Sequence, residues 1–171
     1  MIRSNTTRKV VFSALIAAIC CVATMIPQIP TPLGGYVNCG DAIVLFGAFM
    51  LGPFWGAAAA GIGSALADII CGYTLYAGGT LIIKALMALA AGAILRKAVS
   101  RPVIFSIIAA LVGEVIMVLG YFVFESVILG FGIASAANIP FNCVQGVFGI
   151  AASVILYASL SRIPYIKKLM S

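Results

Sequence analysis

The sequence predicts an all-α integral membrane protein with six transmembrane helices in a compact bundle. Two observations carry this. The 171 residues are 64% hydrophobic and only 8% charged, with a mean hydropathy of +1.23, whereas a water-soluble domain carries about 25% charge. The apolar residues also fall into six runs. At about 20 residues per span, six helices use roughly 120 residues and leave roughly 50 for everything else. A single membrane domain over 1–171 is expected, with no room for a soluble ATPase, a nucleic-acid-binding domain or a catalytic head.

The first helix is expected over about 8–26. It stops at Pro27-Gln28-Ile29-Pro30-Thr31-Pro32 and Gly34-Gly35, which cannot continue a helix. Arg3, Arg8 and Lys9 precede it as in a signal peptide, but the run is near span length and leads into more apolar sequence, so a retained helix is expected. The second, about 41–51, is cut short by Gly52-Pro53 and must be tilted or shielded by its neighbours. The third, about 54–71, holds Gly56, Ala57, Ala60, Gly61, Ser64 and Ala65, a composition for close helix packing. The fourth, fifth and sixth are expected over about 79–95, 103–129 and 138–160.

Basic residues set the orientation. Arg3, Arg8 and Lys9 precede the first helix, Arg96, Lys97 and Arg101 separate the fourth from the fifth, and Arg162, Lys167 and Lys168 follow the sixth. With six spans these share one side, which the positive-inside rule makes the cytoplasm, both termini included. The opposite loops, about 27–40, 72–78 and 130–137, contain no Lys or Arg. Lys84 is the exception, inside a helix.

Much chemistry is excluded. Histidine is absent, the five cysteines are scattered without a metal or disulfide pattern, and small buried apolar roles suit them. No GxxxxGK[ST] loop exists to hold ATP, and no nucleophile–base set points to an enzyme. No catalytic residue, metal or cofactor is expected.

Polar residues inside a membrane are functional candidates by default. Asp41, Asp68, Lys84, Glu125, Asn138 and Asn142 all fall in the outer half of their helices. Asn138, Asn142 and Gln145 share one face of the sixth helix, and Glu114, Tyr121 and Glu125 one face of the fifth, with Glu114 deepest. Tyr73 and Tyr76 add aromatic surface at the mouth, and the proline-rich loop is placed to act as a lid. A pocket for a small polar molecule is expected. Structural alternatives stay open. Lys84 can neutralise Asp68 or Glu125, Asp41 can serve as an N-cap or first-turn acid, the amide face can be interhelical glue, and Tyr73 and Tyr76 can belong to an interfacial belt.

The stretches Gly35-Tyr36-Val37-Asn38-Cys39-Gly40-Asp41-Ala42, Leu51-Gly52-Pro53, Gly63-Ser64-Ala65-Leu66-Ala67-Asp68 and Pro140-Phe141-Asn142-Cys143-Val144-Gln145-Gly146, with Gly120-Tyr121-Phe122 and Glu125, resemble substrate-binding S components of energy-coupling factor (ECF) vitamin transporters, in the riboflavin-transporter-like branch. The resemblance implies a six-helix binder of the cell membrane serving an ABC-type importer. It also implies partners: a transmembrane coupling protein and two cytoplasmic ATPase subunits that hydrolyse ATP. Asn38 joins the substrate-binding candidates, and Ala14 and Ala18 match an Ala-x-x-x-Ala pair that packs on the coupling protein. Thiamine binders resemble one another in stacking ligand on tryptophan, and the lone Trp55 is expected at the cytoplasmic end. The acids, amides and single Lys favour vitamin B6 or hydroxymethylpyrimidine, with riboflavin next. The competing class is a stand-alone proton-coupled transporter using Glu114 and Glu125.

Overall fold

Six helices form a bundle in the computed structural model, which describes residues 2–98 and 102–163, with side chains from Thr6 onward. Helix α1 (Ile2–Met25) leads into a hairpin of β1 (Ile29–Pro30) and β2 (Tyr36–Val37), paired antiparallel with Ile29 opposite Val37. Then follow α2 (Gly40–Leu51), α3 (Pro53–Ile70), α4 (Thr74–Arg96), α5 (Pro102–Val123) and α6 (Ile139–Leu160). A π turn (Phe124–Ile128) extends α5, and a 3-10 segment (Gly132–Asn138) leads into α6. Five segments are long and apolar enough to cross a membrane. The side chain of Arg3, and all of Arg101, Lys167 and Lys168, lie outside the described residues.

The short α2 sits at the centre. Its 12 residues reach only about 18 Å, well short of an apolar layer of about 30 Å. It is therefore shielded, packed against α1, α3, α4 and α6. Val44, Leu45, Ala48 and Phe49 join Met87, Ala91, Ala110 and Met117 in the core. Gly52, at φ +80°, turns the chain in a conformation open to glycine, and Pro53 starts α3 at once.

Small residues bring the helices together as their composition suggested. A Cβ on Gly56 would lie 2.6 Å from the Ala48 Cα, and one on Gly63 would strike the Ala17 backbone. α3 thus meets α2 and α1 backbone to backbone, the approach that small residues allow in lipid.

Two expected loops are largely helical. α4 begins at Thr74, not 79, so the 72–78 loop shrinks to the turn around Gly72. Gly79, inside the helix, is a packing glycine whose missing side chain admits the Phe124 ring, 2.6 Å from where a Cβ would sit. Lys84 is consequently ten residues into α4, nearly three turns and deeper than a helix start at 79 would place it. The 130–137 loop is mostly the 3-10 segment.

Candidate functional site

Polar side chains converge at one end of the bundle. That end holds the C-terminal ends of α1, α3 and α5 and the N-terminal ends of α2, α4 and α6. The described basic residues Arg8, Lys9, Arg96, Lys97 and Arg162 lie at the opposite helix ends. The β1–β2 hairpin lies across the polar end.

Its floor is an ion pair. Lys84 Nζ contacts Asp41 Oδ1, with the two side chains 2% and 1% exposed. Gln145 Nε2 donates to the other oxygen, Asp41 Oδ2, at 2.6 Å, and the Asn38 backbone N–H donates to Gln145 Oε1 at 2.7 Å. Asp41 is also in the first turn of α2, where the helix dipole favours a negative charge. Lys84 further sits 5.3 Å from the Tyr121 ring centre, within cation–π range. The alternative partners Asp68 and Glu125 are thereby corrected: the pair is Lys84 with Asp41. Depth decides it, because Lys84 lies level with the buried N-terminus of the short α2.

Two further carboxylates stand above the floor. Asp68 Oδ1 accepts from the Tyr36 hydroxyl at 2.6 Å. Burial first, and the adjacent Asp68 second, raise the Tyr36 phenol well above its ordinary value, so it remains a donor. Glu125 Oε1 accepts from Asn138 Nδ2 at 2.9 Å. The Tyr76 hydroxyl lies 3.3 Å from both Glu125 Oε1 and the Leu33 carbonyl oxygen. The π turn at Phe124–Ile128 holds Glu125 buried, a common use of such turns at functional sites.

These groups enclose a cavity of about 30 Å³. Of the candidates read from sequence, Asn38, Asp68, Tyr76, Lys84, Tyr121, Glu125, Asn142 and Gln145 line it. Tyr73, Glu114 and Asn138 are outside its lining. Tyr73 packs on Tyr36 from outside, ring centres 4.5 Å apart, and Asn138 supports Glu125 from behind. Glu114 is deeper, about 16 Å along the helix from Glu125. It lies against Gly146 and Gly149, the latter also bordered by the Asp41 side chain, and neither of its oxygens has a hydrogen-bond partner. Thr24, Thr31, Gly35, Tyr36 and Thr80 complete the lining, and Asp41 lies beneath it. None of these was among the substrate-binding candidates, and Asp41 stood only as an intramembrane acid with a capping alternative. The hairpin residues have no helical period to reveal their facing, whereas Thr80 falls one turn before Lys84 on the same face of the expected fourth helix.

A separate apolar groove of about 710 Å³ runs between α1 and α3. Ala14, Ala18, Trp55, Ile62 and Leu66 line it, with Ala14 and Ala18 exposed.

The family described as the S component of ECF-type riboflavin transporters matches residues 4–162. The chain belongs to this family. It is an ECF S component, the substrate-binding membrane subunit of such a transporter, and not an enzyme. S components work with a transmembrane T component and ATPases. An uncharacterised protein of Pyrococcus woesei is 37% identical over 130 residues, 75% of this chain and 85% of that one. Among solved structures, the S component of a bacterial ECF transporter has a TM-score of 0.73 at 21% identity, covering 91% of this chain and 96% of that one. The S component for biotin from an ECF-type ABC transporter has a TM-score of 0.64 at 19% identity, covering 92% and 95%. Both share the fold of this S component.

The buried pair generates a stability prediction. Lys84→Met leaves Asp41 uncompensated and should cost about 3–5 kcal/mol, whereas Lys84→Met with Asp41→Leu should recover most of that. Thermal unfolding of the purified variants in detergent measures both. A double variant no more stable than Lys84→Met would mean that Asp41 does not depend on Lys84.

Proposed function

We propose that this S component captures a single-ring, hydroxylated nitrogen heterocycle of the vitamin B6 or hydroxymethylpyrimidine kind. The observation that supports it most is the small polar cavity, rimmed by short hydrogen-bonding side chains and the rings of Tyr76 and Tyr121. A space of about 30 Å³ holds a water or two, while occupied ligand pockets run to about 300–1,000 Å³. The hairpin must retract for any vitamin, and one ring asks for the smallest retraction. Trp55 lines the groove, away from the cavity, which supports a ligand other than thiamine. Riboflavin is the second reading, favoured by the family's description. A stand-alone proton-coupled carrier using Glu114 and Glu125 has less support, because Glu114 lies off the cavity and S components work through partner ATPases.

The partners we infer are one transmembrane coupling protein and two cytoplasmic ATPase subunits, with the coupling protein docking on the α1–α3 groove at Ala14 and Ala18. Smallness of the lining supports this, since association in lipid is driven by packing rather than by water exclusion. We place both termini in the cytoplasm of a cell-membrane protein, because the described basic residues other than Lys84 lie toward the helix ends opposite the cavity.

Three tests follow from this reading. Asn142→Ala removes an amide that lines the cavity and should weaken binding of pyridoxine or hydroxymethylpyrimidine about 2- to 12-fold, a neutral hydrogen bond's worth. Titration calorimetry measures it, and unchanged affinity would move the ligand elsewhere. A cysteine placed at Leu75 should label with impermeant maleimide on intact cells and one placed at Lys97 should not. The reverse pattern inverts the orientation. Leu at both Ala14 and Ala18 should leave ligand affinity within a few-fold of wild type while complex assembly and ATP-dependent uptake fall sharply. Normal uptake by this variant would remove the docking role.

A further inference from the structure

The hydrogen-bond inventory of the cavity is lopsided. Four of the donors at this end are already spent on carboxylates. The Tyr36 hydroxyl is taken by Asp68 Oδ1, the Asn138 amide by Glu125 Oε1, and both the Gln145 amide and the Lys84 ammonium by Asp41. What remains unpaired is acceptor-rich. Asp68 Oδ2 and Glu125 Oε2 have no hydrogen-bond partner, although each side chain belongs to a residue only 3% exposed. Both residues line the cavity. The hydroxyls of Thr24 and Thr31, also buried in the lining, are unpartnered as well and can donate or accept, so the two carboxylate oxygens alone are strictly acceptors.

Buried polar atoms without partners are expensive, and an ionised carboxylate oxygen only accepts. Two such oxygens, one from α3 and one from the end of α5, call for two donors brought by whatever fills the space. The charge points the same way. Among the described residues Lys84 is the one basic residue in the lining, and Asp41 already neutralises it. An anionic ligand group would therefore meet Asp68 and Glu125 with no free cation in the lining to receive it. Such like-charge juxtaposition is how sites reject wrong partners.

We propose that this cavity selects a donor-rich ligand that is neutral or cationic, one bearing hydroxymethyl or aminomethyl groups toward Asp68 and Glu125. Phosphorylated or carboxylated forms of the same ring are turned away. This rests on the reading of the cavity as the substrate site and deepens it. In transport terms the protein imports the free alcohol or amine, and phosphorylation of that group is a step left to a kinase-type reaction after entry.

The test pairs each parent compound with its phosphate ester, titrated against the purified full-length chain in detergent. The pairs are pyridoxine and pyridoxine phosphate, hydroxymethylpyrimidine and its phosphate, and riboflavin and its phosphate, with pyridoxamine as the aminomethyl probe. The expected result is that at least one parent binds and its ester binds about 100-fold more weakly or worse. Asp68→Asn with Glu125→Gln, which removes both charges with little change of shape, should shrink that gap by about tenfold or more. An ester that binds wild type as tightly as its parent overturns the proposal, whichever ring it carries. Riboflavin as the one parent that binds would overturn the single-ring reading alone, and the donor selectivity would then be judged on riboflavin against its phosphate. Silence of every parent and of pyridoxamine overturns both.

Discussion

The ion pair between Lys84 and Asp41 is the constraint on which the rest of the polar end depends. A lone ammonium three turns into a membrane helix costs several kcal/mol, and it is held only because a carboxylate meets it and the carboxylate's second oxygen is also satisfied. That second bond comes from Gln145 on α6, whose own carbonyl oxygen is fixed by the backbone of Asn38 at the foot of the hairpin. One chain of hydrogen bonds therefore ties α4 to α2, α2 to α6, and α6 to the loop that covers the cavity. Each link uses a side chain too costly to leave unpaired, so the geometry of four segments is set together.

The short α2 makes this arrangement feasible. A full-length helix would begin at the membrane surface and leave its first-turn acid in water. By starting near the depth of Lys84 and stopping after 12 residues, α2 buries Asp41 at its dipole-favoured end. Gly52 and Pro53 close the other end without a loop, and the backbone approach at Gly56 keeps α3 close enough to shield it.

The composition, six apolar runs and the side carrying the basic residues were all readable before any coordinates, because bilayer thickness and charge placement act on the sequence directly. The polar end was readable as a set, since charged and amide residues within apolar runs stand out. Pairings were not. An expected start of α4 near 79 rather than at Thr74 makes Lys84 shallower than it is, at a depth that suits Asp68 or Glu125 rather than Asp41. Asp41 was left outside the binding candidates, its helix-start position being equally well explained by capping. Glu114 shares a face with Tyr121 and Glu125 and reads as the deepest of the three, but the sequence does not show how far down the cavity extends, and it stops short of Glu114. Tyr36 and Thr31 sit in a loop, where no periodicity shows which way a side chain faces.

The hairpin is fastened by the groups that a ligand would use. Tyr36 holds it to Asp68, Tyr76 reaches the Leu33 carbonyl while also approaching Glu125, and Asn38 is anchored to Gln145. Opening the loop to admit a molecule larger than a water or two breaks the first of these and frees Asp68 Oδ1 beside the already unpaired Oδ2. The hairpin is thus held over the cavity by a phenol donor lent to Asp68. A ligand with donors of its own can take over that role as the loop moves aside, so the cost of exposing the carboxylate is offset when the ligand binds. A ligand that brings only acceptors cannot make this exchange. It would have to hold the loop open against an unmet carboxylate, and the same hydrogen bond that closes the site would work to expel it.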